Sequence, residues 1–342
     1  MTPTPAAEAY RGASVLVTGG LGFIGSTLAR ALADAGASVV VMDALIPEFG
    51  GLAFNLAGYE SRIRVVHADL RDASAIATLV AGQTVIFNLA GQVSHIDSMR
   101  DPLLDLGVNA VAHVTLLEAC RAHNPAARIV YAGTRQIYGR PDRLPVNEDH
   151  PIRPTDINGV NKAAGEQYHL VYSRALGLRA CSLRLTNIYG PRQLIRHNRQ
   201  GFIGWFIRTA IEDGTIQIYG DGSQLRDFVH VDDAVDAFLR AGLSDACIGQ
   251  ALNVGGAAPI AHCDLSALIV ELAGSGRVTH IPWPAEKQAI DIGNFYTDST
   301  RFHAATGWTP RIPLREGLAS TIAFYREHFA AYVPEGSRRG TP

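Results

Sequence analysis

Thr18-Gly19-Gly20-Leu21-Gly22-Phe23-Ile24-Gly25 stands between an apolar run, Ser14-Val15-Leu16-Val17, and a helical pattern over 26–35. This is a strand, a glycine turn and a helix N-terminus, in the order a dinucleotide pyrophosphate needs. Gly19 can take the positive φ of a tight turn, Gly22 lets backbone N–H groups approach phosphate, and Gly25 lets the helix pack close to the strand. The first turn of the helix then offers unpaired donors and partial positive charge to an anion. Asp43 closes the next apolar run, Ser38-Val39-Val40-Val41-Met42, eighteen residues after Gly25. A carboxylate at that distance accepts hydrogen bonds from a ribose diol and repels a 2′-phosphate, so NAD is expected over NADP.

Around this motif the chain is built for a packed core. Its 342 residues are 47% apolar and 18% charged, which excludes a disordered chain. A formal net charge of −2 gives no reason to expect nucleic acid as a partner. Cys120, Cys181, Cys247 and Cys263 form no CxxC pair and read as small buried residues in a reducing compartment. No metal site is expected. No signal-peptide core precedes residue 14 and no apolar run of membrane-spanning length is evident, so a cytoplasmic protein without a membrane partner is expected.

Strand and helix patterns alternate through the first half of the chain. Strands are expected at 63–69, 84–90, 127–132 and 180–185, and helices at 73–80, 103–123 and 157–175. That rhythm predicts an α/β fold, a doubly wound parallel sheet with ligands beyond the carboxyl ends of its strands. Asp43, Asp69, Asn88, Thr134 and Asn187 collect at those ends. After Tyr189-Gly190-Pro191 the rhythm breaks. Residues 1–189 and 228–257 are assigned to the nucleotide-binding domain, 190–227 and 258–330 to a smaller C-terminal α/β substrate lobe, and 331–342 to a frayed tail.

Taken together, these segments resemble the extended short-chain dehydrogenase/reductase family, the Rossmann-fold epimerases and dehydratases of nucleotide sugars. The resemblance is carried by Thr18 to Gly25, Asp69-Leu70, Asn88-Leu89-Ala90-Gly91, Thr134 with Tyr138-Gly139, Lys162, Arg184 to Pro191, Gly220-Asp221-Gly222 and Arg226-Asp227-Phe228. It implies NAD held by Gly19, Gly22, Phe23, Ile24, Gly25, Asp43, Asp69, Leu70, Leu89, Ala90 and Lys162. It implies a nucleotide-sugar substrate whose diphosphate meets Asn187 and Arg226, with Asp291 alongside, and whose sugar hydroxyl meets Thr134. It also implies a homodimer built on the helices at 103–123 and 157–175.

Two departures bear on the chemistry. The family works with a Tyr-x-x-x-Lys pair, but the run here is Asp156-Ile157-Asn158-Gly159-Val160-Asn161-Lys162. Asparagine does not titrate, so Asn158 can orient a hydroxyl but cannot be a general base. Dehydratases of the family carry an Asp-Glu pair after the threonine, where Arg135 and Gln136 stand, so an epimerase is favoured over a 4,6-dehydratase. His95 is a candidate base, although a structural histidine is the plainer reading. Arg135 either pairs with a carboxylate or phosphate of the substrate or turns away to Glu148 or Asp149. The second diphosphate arginine expected before Asp291 is missing, and Arg192, Arg196 and Arg199 are possible substitutes. Three readings follow: an epimerase working by transient hydride transfer, an epimerase of a keto sugar working by proton abstraction at carbon, and a non-catalytic nucleotide-sugar binding protein.

Overall fold

The structure is a computed structural model that describes residues 4–334 and 336. Seven strands make one sheet: β1 (Ser14–Thr18), β2 (Ser38–Asp43), β3 (Ile63–His67), β4 (Val85–Asn88), β5 (Arg128–Thr134), β6 (Arg179–Leu185) and β7 (Ala251–Val254). Their spatial order is β7-β6-β5-β4-β1-β2-β3, and every pairing is parallel. The strands are rich in Val, Ile and Leu without alternation, as a sheet covered on both faces requires. The helices Phe23–Asp34 and Val231–Leu243 pack on one face through Leu28, Leu32, Phe238 and Leu239. The opposite face is covered by Ala73–Val80 and Ala112–His123 through Ile76, Leu79, Leu116 and Leu117. Strand order reverses between β1 and β4, which opens a crevice at their carboxyl ends. Thr18 and Asn88 are paired there, with the threonine hydroxyl 2.8 Å from Asn88 Oδ1.

A second apolar cluster gathers Ile203, Phe206, Ile207, Leu265, Ile269, Leu318 and Tyr325. It lies among the helices Phe202–Ile211, His262–Ala273 and Leu314–Tyr332 and the parallel strand pair Thr215–Tyr219 with Arg277–Ile281. Three sequence readings need correction. The last helix runs through Tyr332, which is buried and donates from its hydroxyl to Asn55 Oδ1 at 2.6 Å, so a tail starting at 331 is too early. Positions 335 and 337–342 lie outside the described residues. The continuous helical stretch Pro102–His123 is long and apolar enough to cross a membrane, contrary to the reading of the sequence. Its inner side, however, packs against the sheet. Of the four cysteines, Cys263 is only half-buried.

Candidate functional site

A cavity of about 590 Å³ opens at the carboxyl ends of β1, β4 and β5 and runs under the second cluster. Asn158 does not line it, nor do the alternative arginines Arg192 and Arg196; the other catalytic, cofactor and substrate residues named from the sequence do.

The glycine turn is as tight as its motif demands. Gly19 has φ of +66°, and a Cβ there would stand 2.8 Å from Leu89 O. A Cβ on Gly25 would lie 2.3 Å from Gly19 O, so only glycine lets the helix start this close to the strand. Gly22 caps Phe23–Asp34 without a side-chain bond, leaving the first N–H groups of that helix open to an anion. Asp43 Oδ2 accepts from Leu21 N at 3.0 Å and Oδ1 from Leu45 N at 2.8 Å, which fixes the carboxylate beside the turn. Burial raises its pKa, and those two backbone bonds offset only part of the rise. Asp69 is clamped by Arg71 at 2.6 Å, and that pairing lowers its pKa. This cradle fits NAD: backbone donors for the pyrophosphate, a fixed acid for the ribose, and apolar walls from Ile24, Leu70, Leu89 and Ala90.

Lys162, on the helix Ile157–Leu176, is buried and donates to Ala132 O at 2.9 Å at the end of β5. Its ammonium lies 4.9 Å from the centre of the Tyr131 ring. Burial pushes its pKa down to about 8, against the pull of Asp105 and Glu166. Thr134 lines the cavity and accepts from Gln136 N at 3.2 Å, which leaves its own O–H free to donate.

Asn158 is not on the cavity wall. It is 1% exposed, and its amide donates to Gln92 O at 2.9 Å, Gln92 Oε1 at 3.1 Å and Asp105 Oδ2 at 2.9 Å. Asp105, itself buried, also receives Asn109 and Asn161 amides at 3.1 and 2.8 Å. Asn158 is thus one of three amides solvating a buried carboxylate. The expectation that it orients a sugar hydroxyl is corrected, because both of its N–H hydrogens are already used inside the protein.

His95 does face the cavity, and its ring is not tied to backbone as the plainer reading held. Its Nδ1 lies 2.6 Å from Asp156 Oδ2 and also meets the Gln136 amide, and its side chain is 41% exposed. Asp156 is held from two further sides: Gly159 N donates to it at 2.8 Å, as the N-cap bond of the helix, and Gln136 Nε2 donates at 2.9 Å. Burial raises the Asp156 pKa, but the histidine contact and the backbone and amide donors outweigh it and leave the value below the usual range. The sequence did not single out Asp156 or Gln136. Asp156 entered only as the residue before Ile157 in the run that ends at Lys162, and Gln136 only as the replacement of a dehydratase acid.

Arg135 also faces the cavity. Its Nη2 donates to Asn187 Oδ1 at 3.2 Å, and its guanidinium lies 5.0 Å from the Phe295 ring centre. The alternative partners Glu148 and Asp149 pair with Arg301 instead. Arg226 is held by the carbonyls of Leu225 and Gly293 and stands 3.9 Å from Asp291. Burial pushes its pKa down to about 9, helped by the neighbouring charge of Arg135. Arg196 and Arg199 are engaged by Glu48, and Arg199 also by Asp97, so they tie the segment after Pro191 to the loop at 47–51. That engagement removes them as ready diphosphate ligands. Tyr138 lies behind the wall, bonded to Asn253 Oδ1 and Arg184 Nη1 at 2.7 Å each.

Comparison with known proteins agrees with this geometry. The model of the NAD dependent epimerase/dehydratase family matches residues 15–255. The chain belongs to this family, and NAD is its cofactor. A UDP-glucose 4-epimerase from Mycolicibacterium smegmatis is 36% identical over 314 residues, covering 91% of this chain and 98% of the relative. A dTDP-glucose 4,6-dehydratase from Streptomyces griseus is 32% identical, covering 94% and 98%. Among solved structures, an epimerase from Methanothermobacter thermautotrophicus superposes with a TM-score of 0.89 at 26% identity, covering 96% of each chain. Epimerases and dehydratases of this family thus both share the whole fold.

Proposed function

We propose that this protein is a nucleotide-sugar epimerase working by transient hydride transfer, with the His95–Asp156 pair moving the proton. The observation that carries the proposal is the 2.6 Å contact between His95 Nδ1 and a carboxylate held on three sides, in the same cavity as Thr134 and Lys162. Held by Gly19, Gly22, Gly25 and Asp43, NAD would supply the acceptor for a hydride from a sugar carbon and the donor for its return to the opposite face. His95 takes the proton of the hydroxyl on that carbon through Nε2 and gives it back as the carbonyl is reduced. Asp156 fixes the Nδ1–H tautomer and stabilises the imidazolium. Thr134 donates to the sugar oxygen. Lys162 supports the nicotinamide ribose, and Arg226 with Asn187 faces the diphosphate. A 4,6-dehydration is disfavoured because neither Arg135 nor Gln136 can exchange protons near neutral pH.

A homodimer fits the same reading. Leu103, Val111, Val160 and Val171 are 77%, 51%, 49% and 53% exposed on the two helical stretches Pro102–His123 and Ile157–Leu176, an apolar face that a second copy would cover.

The test uses His95→Ala with NAD and a panel of nucleotide sugars. Its kcat should fall about 10²–10⁴-fold, nucleotide affinity should hold, and added imidazole should restore part of the rate. An unchanged kcat would remove the dyad from the mechanism.

A further inference from the structure

We propose that Arg135 is the recognition point for a carboxylate on the sugar, so that the substrate is a nucleotide-linked acidic sugar. The inference rests on the nucleotide-sugar reading above and goes beyond it to the substrate class.

Arg135 opens the short turn Arg135–Tyr138 that follows β5, between Thr134 and Gln136. One face of its guanidinium is covered by Phe295, and one hydrogen bond, to Asn187, is made at its edge. No carboxylate comes within 4.0 Å of it among the described residues. Three acids lie near enough to act on it through space: Asp227, Asp156 and Asp291. Each is already bound elsewhere. Asp227 takes the Thr186 hydroxyl at 2.5 Å and Gly256 N at 3.0 Å. Asp156 takes His95 and Gly159 N. Asp291 takes Gln224 Nε2 at 2.9 Å and Gly293 N at 3.0 Å. Arg226 differs, since two carbonyls hold its Nη1. Arg135 therefore lines the cavity with one hydrogen bond, to Asn187, and no carboxylate partner among the described residues. Partial removal from water lowers its pKa, so an anion from the ligand would relieve a standing cost.

Its place narrows the anion to two. The next residue, Gln136, donates to Asp156 of the dyad, so Arg135 borders the reacting end of the cavity. A carboxylate there presents two coplanar oxygens that match the guanidinium edge. The other oxyanion within reach is a phosphate of the diphosphate, beside Asn187 and Arg226, and the experiment separates the two.

Binding to the NAD-loaded protein is measured by calorimetry with UDP, dTDP, CDP and GDP. The preferred nucleoside diphosphate is then compared with its hexose and hexuronic acid derivatives. The wild type should bind the uronic acid derivative about 10-fold or more tighter than the hexose derivative, the size of one charge-assisted pair. Arg135→Met, which keeps apolar packing on Phe295, should erase that preference and leave the affinity for the bare diphosphate within about twofold. Arg135→Lys, which keeps the charge but loses the fork, should retain a reduced preference. Equal wild-type binding of the two sugars overturns the proposal. So does a variant that loses bare diphosphate, hexose and uronic acid derivatives alike, which would assign Arg135 to the phosphates. If the wild type binds none of the four diphosphates, the nucleotide-sugar reading itself fails and takes this proposal with it.

Discussion

Restoring the family's tyrosine at position 158 should damage this protein rather than improve it. Asn158 is 1% exposed and supplies the donors for Gln92 and for one oxygen of Asp105. A phenol has a single donor and far more volume. Gln92 O, Gln92 Oε1 and Asp105 Oδ2 each keep a second donor, from Asn109 or Ser94, so the two bonds a phenol cannot replace cost about 0.5–1.5 kcal/mol each. Overpacking adds about 1–3 kcal/mol. The sum, about 2–6 kcal/mol, is a large fraction of the stability of a typical domain, about 5–15 kcal/mol. Asn158→Tyr is therefore expected to unfold at much lower guanidinium concentration than the wild type, followed by tryptophan fluorescence, and to gain no epimerase activity. Asn158→Asp should also destabilise, because it sets a second carboxyl against Asp105. A tyrosine variant within about 1 kcal/mol of wild-type stability, with raised activity, would refute the argument and place residue 158 on the cavity.

Three further outcomes follow from the same geometry. Asp156→Asn keeps an oxygen for the helix cap but removes the charge beside His95, so kcat should fall at least about 10-fold with KM little changed; steady-state kinetics at pH 7 checks this. Lys162 titrates near 8 in the folded chain and near 10.5 when unfolded, so both states hold its proton below pH 8. Between those values only the folded state has released it, so the lysine's contribution to stability rises with pH there, while the charge offered to the cofactor is lost. NAD affinity should accordingly drop as pH passes 8, and the drop should be absent in Lys162→Met. Asp43→Ser should weaken NAD by about 10-fold or more and narrow the preference over NADP, read by calorimetry with both.

The parts of the fold that are local in sequence were legible there. Gly19, Gly22 and Gly25 constrain one another within a single turn, and Asp43 follows at the end of the adjacent strand, so residue type and spacing carried the turn and its acid, while Leu70, Leu89, Ala90 and Lys162 came only from the family resemblance. The site's interior was not legible, because it is assembled from distant segments. Asn158 owes its burial to Gln92 and Asp105, 66 and 53 positions away, and the pairing of His95 with Asp156 spans 61 positions. Asp156 in sequence is only the residue before an expected helix at 157–175. The distinction between Arg135, open to the cavity, and Arg196 or Arg199, held by Glu48, is likewise a matter of which carboxylate each can reach in space.

The central claim is that His95 moves a hydroxyl proton while hydride passes at carbon, and product analysis in D₂O tests it most directly. The wild-type protein is incubated with NAD and nucleotide sugars, neutral and acidic, and the products are read by NMR. A new isomer with no solvent deuterium on any carbon is expected. Deuterium at carbon would instead assign the dyad to proton abstraction beside a carbonyl, and tight binding without any product would contradict catalysis altogether.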